Sequence, residues 1–92
     1  MIKSFQHKGL ERFFRKGDAK VLQGQHAGRI SRILDALDEA SCPDQLKIPG
    51  MYLHPLKGDR KGQWAMTVSG NWRITFAFDG DDVIIVNLED YH

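Results

Sequence analysis

The residues with the most chemical capacity lie in the second half of the chain. In Leu53-His54-Pro55-Leu56-Lys57-Gly58-Asp59-Arg60 a histidine stands beside a cationic, glycine-containing turn, and the chain closes on Glu89-Asp90-Tyr91-His92. A histidine exchanges its proton near neutrality, because its unperturbed pKa is about 6.5. Arg73 adds a planar fork of donors that suits a phosphate better than a lysine ammonium does. Cleavage of RNA by its own 2′-hydroxyl needs a base for that hydroxyl, an acid for the departing 5′-oxygen and a cation for the phosphorane. His54, Asp90, Tyr91 and His92 can serve as base and acid, and Lys57 and Arg73 as the cations. Each has a plainer reading: a lone histidine beside proline and an arginine on a strand are more often structural, and a terminal histidine is usually frayed. The combination is what points to nucleolytic chemistry.

Other chemistries find no support. His7, His26, His54 and His92 show no i, i+4 pairing, and neither HExxH nor CxxC occurs, so no metal site is expected. The phosphate-binding GxxxxGK[ST] loop, the dinucleotide fingerprint and GxSxG are also missing, and no cofactor is expected. Cys42 is the single cysteine, which rules out an internal disulfide and suits a reducing cytoplasm. The longest purely aliphatic run, residues 83–86, is far short of a membrane span, and the first residues lack the apolar stretch of a signal peptide.

Such side chains need rigid elements to hold them, and the pattern of apolar residues supplies the elements. From residue 63 the period is two: Trp64, Met66 and Val68 share one side, and Gln63, Ala65, Thr67 and Ser69 the other, up to a Gly70-Asn71 turn. The next strand puts Trp72, Ile74, Phe76 and Phe78 on its apolar side and Arg73, Thr75 and Ala77 on an open side. Small neighbours should there leave Arg73 room for a ligand. Asp79-Gly80-Asp81-Asp82 turns the chain into residues 83–88, and residues 51–56 and 2–5 read as two further strands. Leu10, Phe13 and Phe14, followed by Gly17, predict a helix with a basic last turn. Ile30, Ile33, Leu34, Leu37 and Ala40 predict a second helix, stopped at Ser41-Cys42-Pro43. The fold class is therefore α+β, an antiparallel sheet packed on two amino-terminal helices, with residues 1–92 forming a single domain.

The composition, 41% hydrophobic and 27% charged, excludes a disordered or collagenous chain. Net charge is only +1, yet residues 1–34 carry eight Lys or Arg against two acids, while residues 74–92 carry five acids and no Lys or Arg. The basic third suits a polyanion, although two solvated helix faces would look the same. Arg12, Arg15, Lys16, Arg29 and Arg32 are its candidates for contact with the phosphates of such a polyanion.

Met1-Ile2-Lys3-Ser4-Phe5, Lys8-Gly9-Leu10, the segment from Leu53 to Arg60, Asn71-Trp72-Arg73-Ile74-Thr75-Phe76 and Glu89-Asp90-Tyr91-His92 resemble, in that order and spacing, the HigB family of RelE-like toxins. The resemblance spans nearly the whole chain. It implies a toxin of a bacterial toxin–antitoxin module, an endoribonuclease that cuts messenger RNA in the decoding site of the 70S ribosome without a metal. It also implies silencing by a helix-turn-helix, HigA-like antitoxin, with the toxin monomeric alone and assembled further with that partner. Carried over by residue, it makes His54, Asp90, Tyr91 and His92 catalytic, and Lys57 and Arg73 the ligands of the scissile phosphate. Two alternatives come from other classes. A ParE-like gyrase poison shares the architecture but has no use for the His54, Lys57, Arg73 and His92 set. A non-catalytic RNA-binding module would leave the terminal histidine idle.

Overall fold

A computed structural model of the chain describes residues 1–22 and 26–90. Helix α1 spans Lys8–Lys16; the His7 imidazole caps its start, Nδ1 accepting the Leu10 N–H at 2.9 Å. Gly17 closes the helix in a left-handed conformation, φ 73°, that glycine adopts without steric cost. Helix α2, Ala27–Glu39, buries Ile30, Ile33, Leu34 and Leu37 along one stripe. Pro43 then opens a short 3-10 turn, Pro43–Leu46.

Strands β1 (His54–Pro55), β2 (Gln63–Ser69), β3 (Trp72–Asp79) and β4 (Asp82–Asp90) form one antiparallel meander in that order. On its inner face Met66, Val68, Ile74, Phe76, Val83 and Val86 join Leu10 and the α2 stripe in a single core. Each such fully buried side chain contributes on the order of 1.5–3 kcal/mol, which fixes the sheet against the helix layer. This is the expected two-layer α+β arrangement. Among the described residues no helix is long and apolar enough to cross a membrane.

Three local expectations change. Residues 2–5 run parallel to β4 through the isolated bridges Ile2↔Val83 and Phe5↔Val86 rather than forming a strand of their own. The strand expected over residues 51–56 shrinks to His54–Pro55, because Tyr52 takes φ 53° and breaks the extended run. Trp72, expected inside, is 37% exposed at the start of β3, beyond a register shift between Thr67 and Ser69.

The most consequential departure lies in β4. Thr75 pairs with Asn87 and Ala77 with Ile84, so β4 spends one residue more than β3 over this stretch. Ile85 sits in that bulge at φ 51°, a conformation that β-branched residues rarely adopt. The amino-terminal segment holds it: the Ile85 N–H donates to Ser4 Oγ at 2.8 Å, the Val86 N–H to the Ser4 carbonyl at 3.2 Å, and the Gln6 N–H to the Val86 carbonyl at 2.8 Å. A one-residue shift sends every later side chain to the opposite face. Val83 lies inside before the bulge and Val86 after it, so Asn87 and Glu89 are turned to the outer face. Ser4→Ala removes the acceptor from the half-buried Ile85 N–H and should cost about 1–2 kcal/mol. Denaturant unfolding should show a lower midpoint with an unchanged slope, and an unaltered midpoint would mean that Ser4 does not hold the bulge.

Candidate functional site

Cross-strand register assembles the outer face. One row runs His54, Ala65, Thr75, Asn87 across all four strands, and the next runs Thr67, Arg73, Glu89. Paired residues share a face, so His54 and Arg73 point to the same side of the sheet, their Cα positions about 12 Å apart from strand spacing and rise. That span matches a phosphodiester reached by one side chain from each end.

His54 has a defined orientation. Its Nδ1 lies 2.9 Å from the Tyr52 carbonyl oxygen, and a carbonyl can only accept, so Nδ1 carries the proton and the neutral ring keeps its lone pair on Nε2. Tyr52, whose left-handed backbone interrupts the expected strand, is thus the residue whose carbonyl orients the imidazole. Lys57 is exposed and leads into the 3-10 turn Gly58–Arg60. Together with Leu56, Lys61, Gln63 and Trp64 it lines an open cavity of about 310 Å³.

Arg73 is not on an open face. Ala65, Thr75 and Ala77 are buried there, and the Arg73 side chain is only 14% exposed. The space that small neighbours were expected to leave is filled by Arg60, which reaches across the sheet from its turn. Arg60 donates from Nη1 to Glu89 Oε1 at 2.7 Å and from Nη2 to Glu89 Oε2, and from Nε and Nη2 to Gln63 Oε1 at 3.2 and 2.9 Å. Thr75 Oγ1 donates to Glu89 Oε2 at 2.9 Å, and Arg73 Nη2 to Glu89 Oε1 at 3.2 Å. Asn87 Nδ2 adds a longer contact to Oε2, 3.3 Å. Glu89 is therefore the hub of the face. The chemical types of the residues gave no sign of this, because all its partners but Asn87 lie 14 to 29 positions away in sequence.

The remaining candidates lie elsewhere. Asp90 pairs with Trp72 at the exposed end of β4, and strand alternation puts its side chain on the face opposite Glu89. Tyr91 and His92 fall outside the described residues. Arg12, Lys16 and Arg32 are exposed on the helices, across the core from the His54 and Arg73 face. Arg15 is exposed too, pairs with Glu11 at 3.1 Å and lies over the Phe5 ring. Arg29 differs from these four: it is half-buried and donates to the carbonyls of Gly50 and Thr67, so its guanidinium ties α2 to the sheet. Among the described residues no group of three or more His, Cys, Asp or Glu is placed to hold a metal ion.

The ion pair has a pH signature. Hydrogen bonding from the Arg60 guanidinium lowers the Glu89 pKa from 4.5 to about 2, against the upward pull of burial and with further help from Thr75 and Arg73. The same carboxylate raises the pKa of Arg60. A carboxylate whose folded pKa is depressed contributes stability that is fully present above its unfolded value and is lost as pH falls through the folded one. Wild-type stability should therefore drop between about pH 4.5 and about pH 2 by a share that Glu89→Gln abolishes. That variant should also lose about 1.5–3 kcal/mol at neutral pH, the usual scale for hydrogen bonds to a charged group. Denaturant melts across this pH range test both, and parallel wild-type and variant curves would contradict the assignment.

Comparison with known proteins agrees with this architecture. The family model for the RelE-like toxin HigB of type II toxin–antitoxin systems matches residues 3–92. The Endoribonuclease HigB of Proteus vulgaris is 50% identical over 92 residues, covering all of both chains. Matched over residues 3–92 by the family model and over its full length by the relative, the chain belongs to the HigB-like, RelE-like toxins of type II toxin–antitoxin systems.

Proposed function

We propose that this toxin is a ribosome-dependent endoribonuclease that cuts messenger RNA in the decoding site and so stops translation, acting in the cytoplasm until a helix-turn-helix, HigA-like antitoxin silences it. The name of the Proteus vulgaris relative supports the activity. The observation that carries the chemistry is the pairing of an oriented histidine and an arginine on one sheet face. His54 Nε2 accepts the proton of the 2′-hydroxyl, whose oxygen attacks the adjacent phosphorus. Arg73 and Lys57 neutralise the charge that builds on the phosphorane oxygens. A group of the terminal segment, with His92 as the working choice, protonates the departing 5′-oxygen, leaving a 2′,3′-cyclic phosphate and a 5′-hydroxyl. Asp90 orients a ring of that segment, and Tyr91 either stacks on a base or donates the proton. Arg12, Arg15, Lys16 and Arg32 contact ribosomal RNA phosphates from the helix layer, a role that needs no base readout. Arg29, engaged with two carbonyls, contributes least.

The direct test incubates the protein with programmed ribosomes and with naked message and maps the new 5′ ends. Codon-positioned cuts confined to the ribosome lane are expected; intact message in both lanes would return the chain to gyrase poisoning or simple RNA binding. In single-turnover cleavage His54→Ala should slow the step by on the order of 10²-fold or more and change the shape of its pH profile, as loss of a general base does. Deleting His92 should cost a similar factor without lowering the melting temperature. Wild-type rates in either variant would remove that residue from the mechanism.

A further inference from the structure

We infer that Glu89 is a positioning residue for RNA cleavage, one that holds the Arg73 guanidinium where the phosphorane forms and is itself locked by Arg60; this rests on the nuclease reading above. A carboxylate beside a phosphate-binding cation is electrostatically costly, since it repels the RNA backbone it neighbours. Its position nevertheless is among the most constrained on the face. Glu89 is directly opposite Arg73 across β3 and β4, its side chain is 18% exposed, and both its oxygens are engaged by Arg60. Gln63 holds the other edge of Arg60, and Thr75, 1% exposed, donates to Glu89 from the buried floor between them.

A long arginine side chain left in water samples many rotamers, and ordering it during the reaction would add to the barrier. Contact with a fixed carboxylate removes that cost beforehand, so the cation is already in place when charge develops. Arg60 plays the complementary part. Its fork spans Glu89 and Gln63, which a lysine ammonium cannot do in the same geometry. The cluster of two arginines and one glutamate keeps a net charge of +1, enough to attract a phosphate while the carboxylate sets where the arginine stands.

This arrangement predicts a split between binding and chemistry. Glu89→Gln makes the face more positive, so electrostatics alone would tighten RNA binding and leave cleavage intact or faster. Positioning requires binding as tight as wild type or tighter, with the cleavage rate at saturating toxin reduced by about 10- to 100-fold, the scale of a 1 Å misplacement. The pH profile should keep its wild-type shape, because the loss is not of a proton-transferring group. Affinity is read on ribosomes programmed with message carrying a 2′-O-methyl group at the cut site, and rate on the cleavable message, both well below the melting temperature. Arg60→Lys, which keeps the charge and the Glu89 carboxylate, serves as the second variant and should show the same loss of rate. Wild-type rates at saturation in the folded variants, or a rate loss that saturating toxin restores, would overturn the inference while leaving the nuclease reading intact. Failure of the wild-type chain itself to cleave would overturn both.

Discussion

A glutamate can sit between two guanidiniums on a sheet face only if three separate parts of the chain deliver their side chains to one spot. Arg60 arrives from a turn, Arg73 from β3 and Glu89 from β4, and the carboxylate bonds to both and to Thr75 beneath. Hydrogen bonds to an ionised acceptor are among the stronger ones available to a protein, and this site is partly withdrawn from water. The pair is not a surface ion bridge of negligible worth. It covers the outer face at Thr75, which both Arg60 and Glu89 contact, and it fixes where the two guanidiniums stand.

The same constraint reaches back to the first residues of the chain. Glu89 points outward only because Ile85 is inserted as a bulge, and Ile85 holds its left-handed conformation with its N–H on the Ser4 hydroxyl. The amino-terminal segment therefore covers the exposed edge of β4, which would otherwise offer unpaired backbone groups, and also sets the register of the site. Asp38 in α2 accepts the Ile2 N–H at 3.0 Å and ties this segment to the helix layer. Sheet face, edge and helices are in this way parts of one mechanical arrangement.

How much of this could be read from the residues depends on the range over which each feature is specified. The helices and the hairpins after Gly70-Asn71 and Asp79-Gly80 were legible, because periodicity and turn chemistry are local. The place of His54 on a short strand just before a cationic turn was legible from its neighbours. The bulge was not: residues 83–86 are aliphatic throughout, so no alternation reveals a one-residue slip. Without it Glu89 counts to the wrong face, and its link to Arg73 disappears. Arg60 read as one more cation of a basic turn, since nothing local says that its side chain reaches 29 positions along the sequence. The openness expected around Arg73 failed for the same reason. Strand alternation gives the direction of a side chain and is silent about what another loop lays over it.

The central claim is that Glu89 stays ionised between two guanidiniums, and a direct readout is its own titration. Carbon-13 NMR of the side-chain carboxyl resonances, followed with pH and assigned by comparison with a Glu89→Gln sample, should give Glu89 a midpoint of about 2, well below the ordinary glutamate value. A Glu89 midpoint at the unperturbed glutamate value of about 4.3 would contradict the account and leave the face without its organising charge.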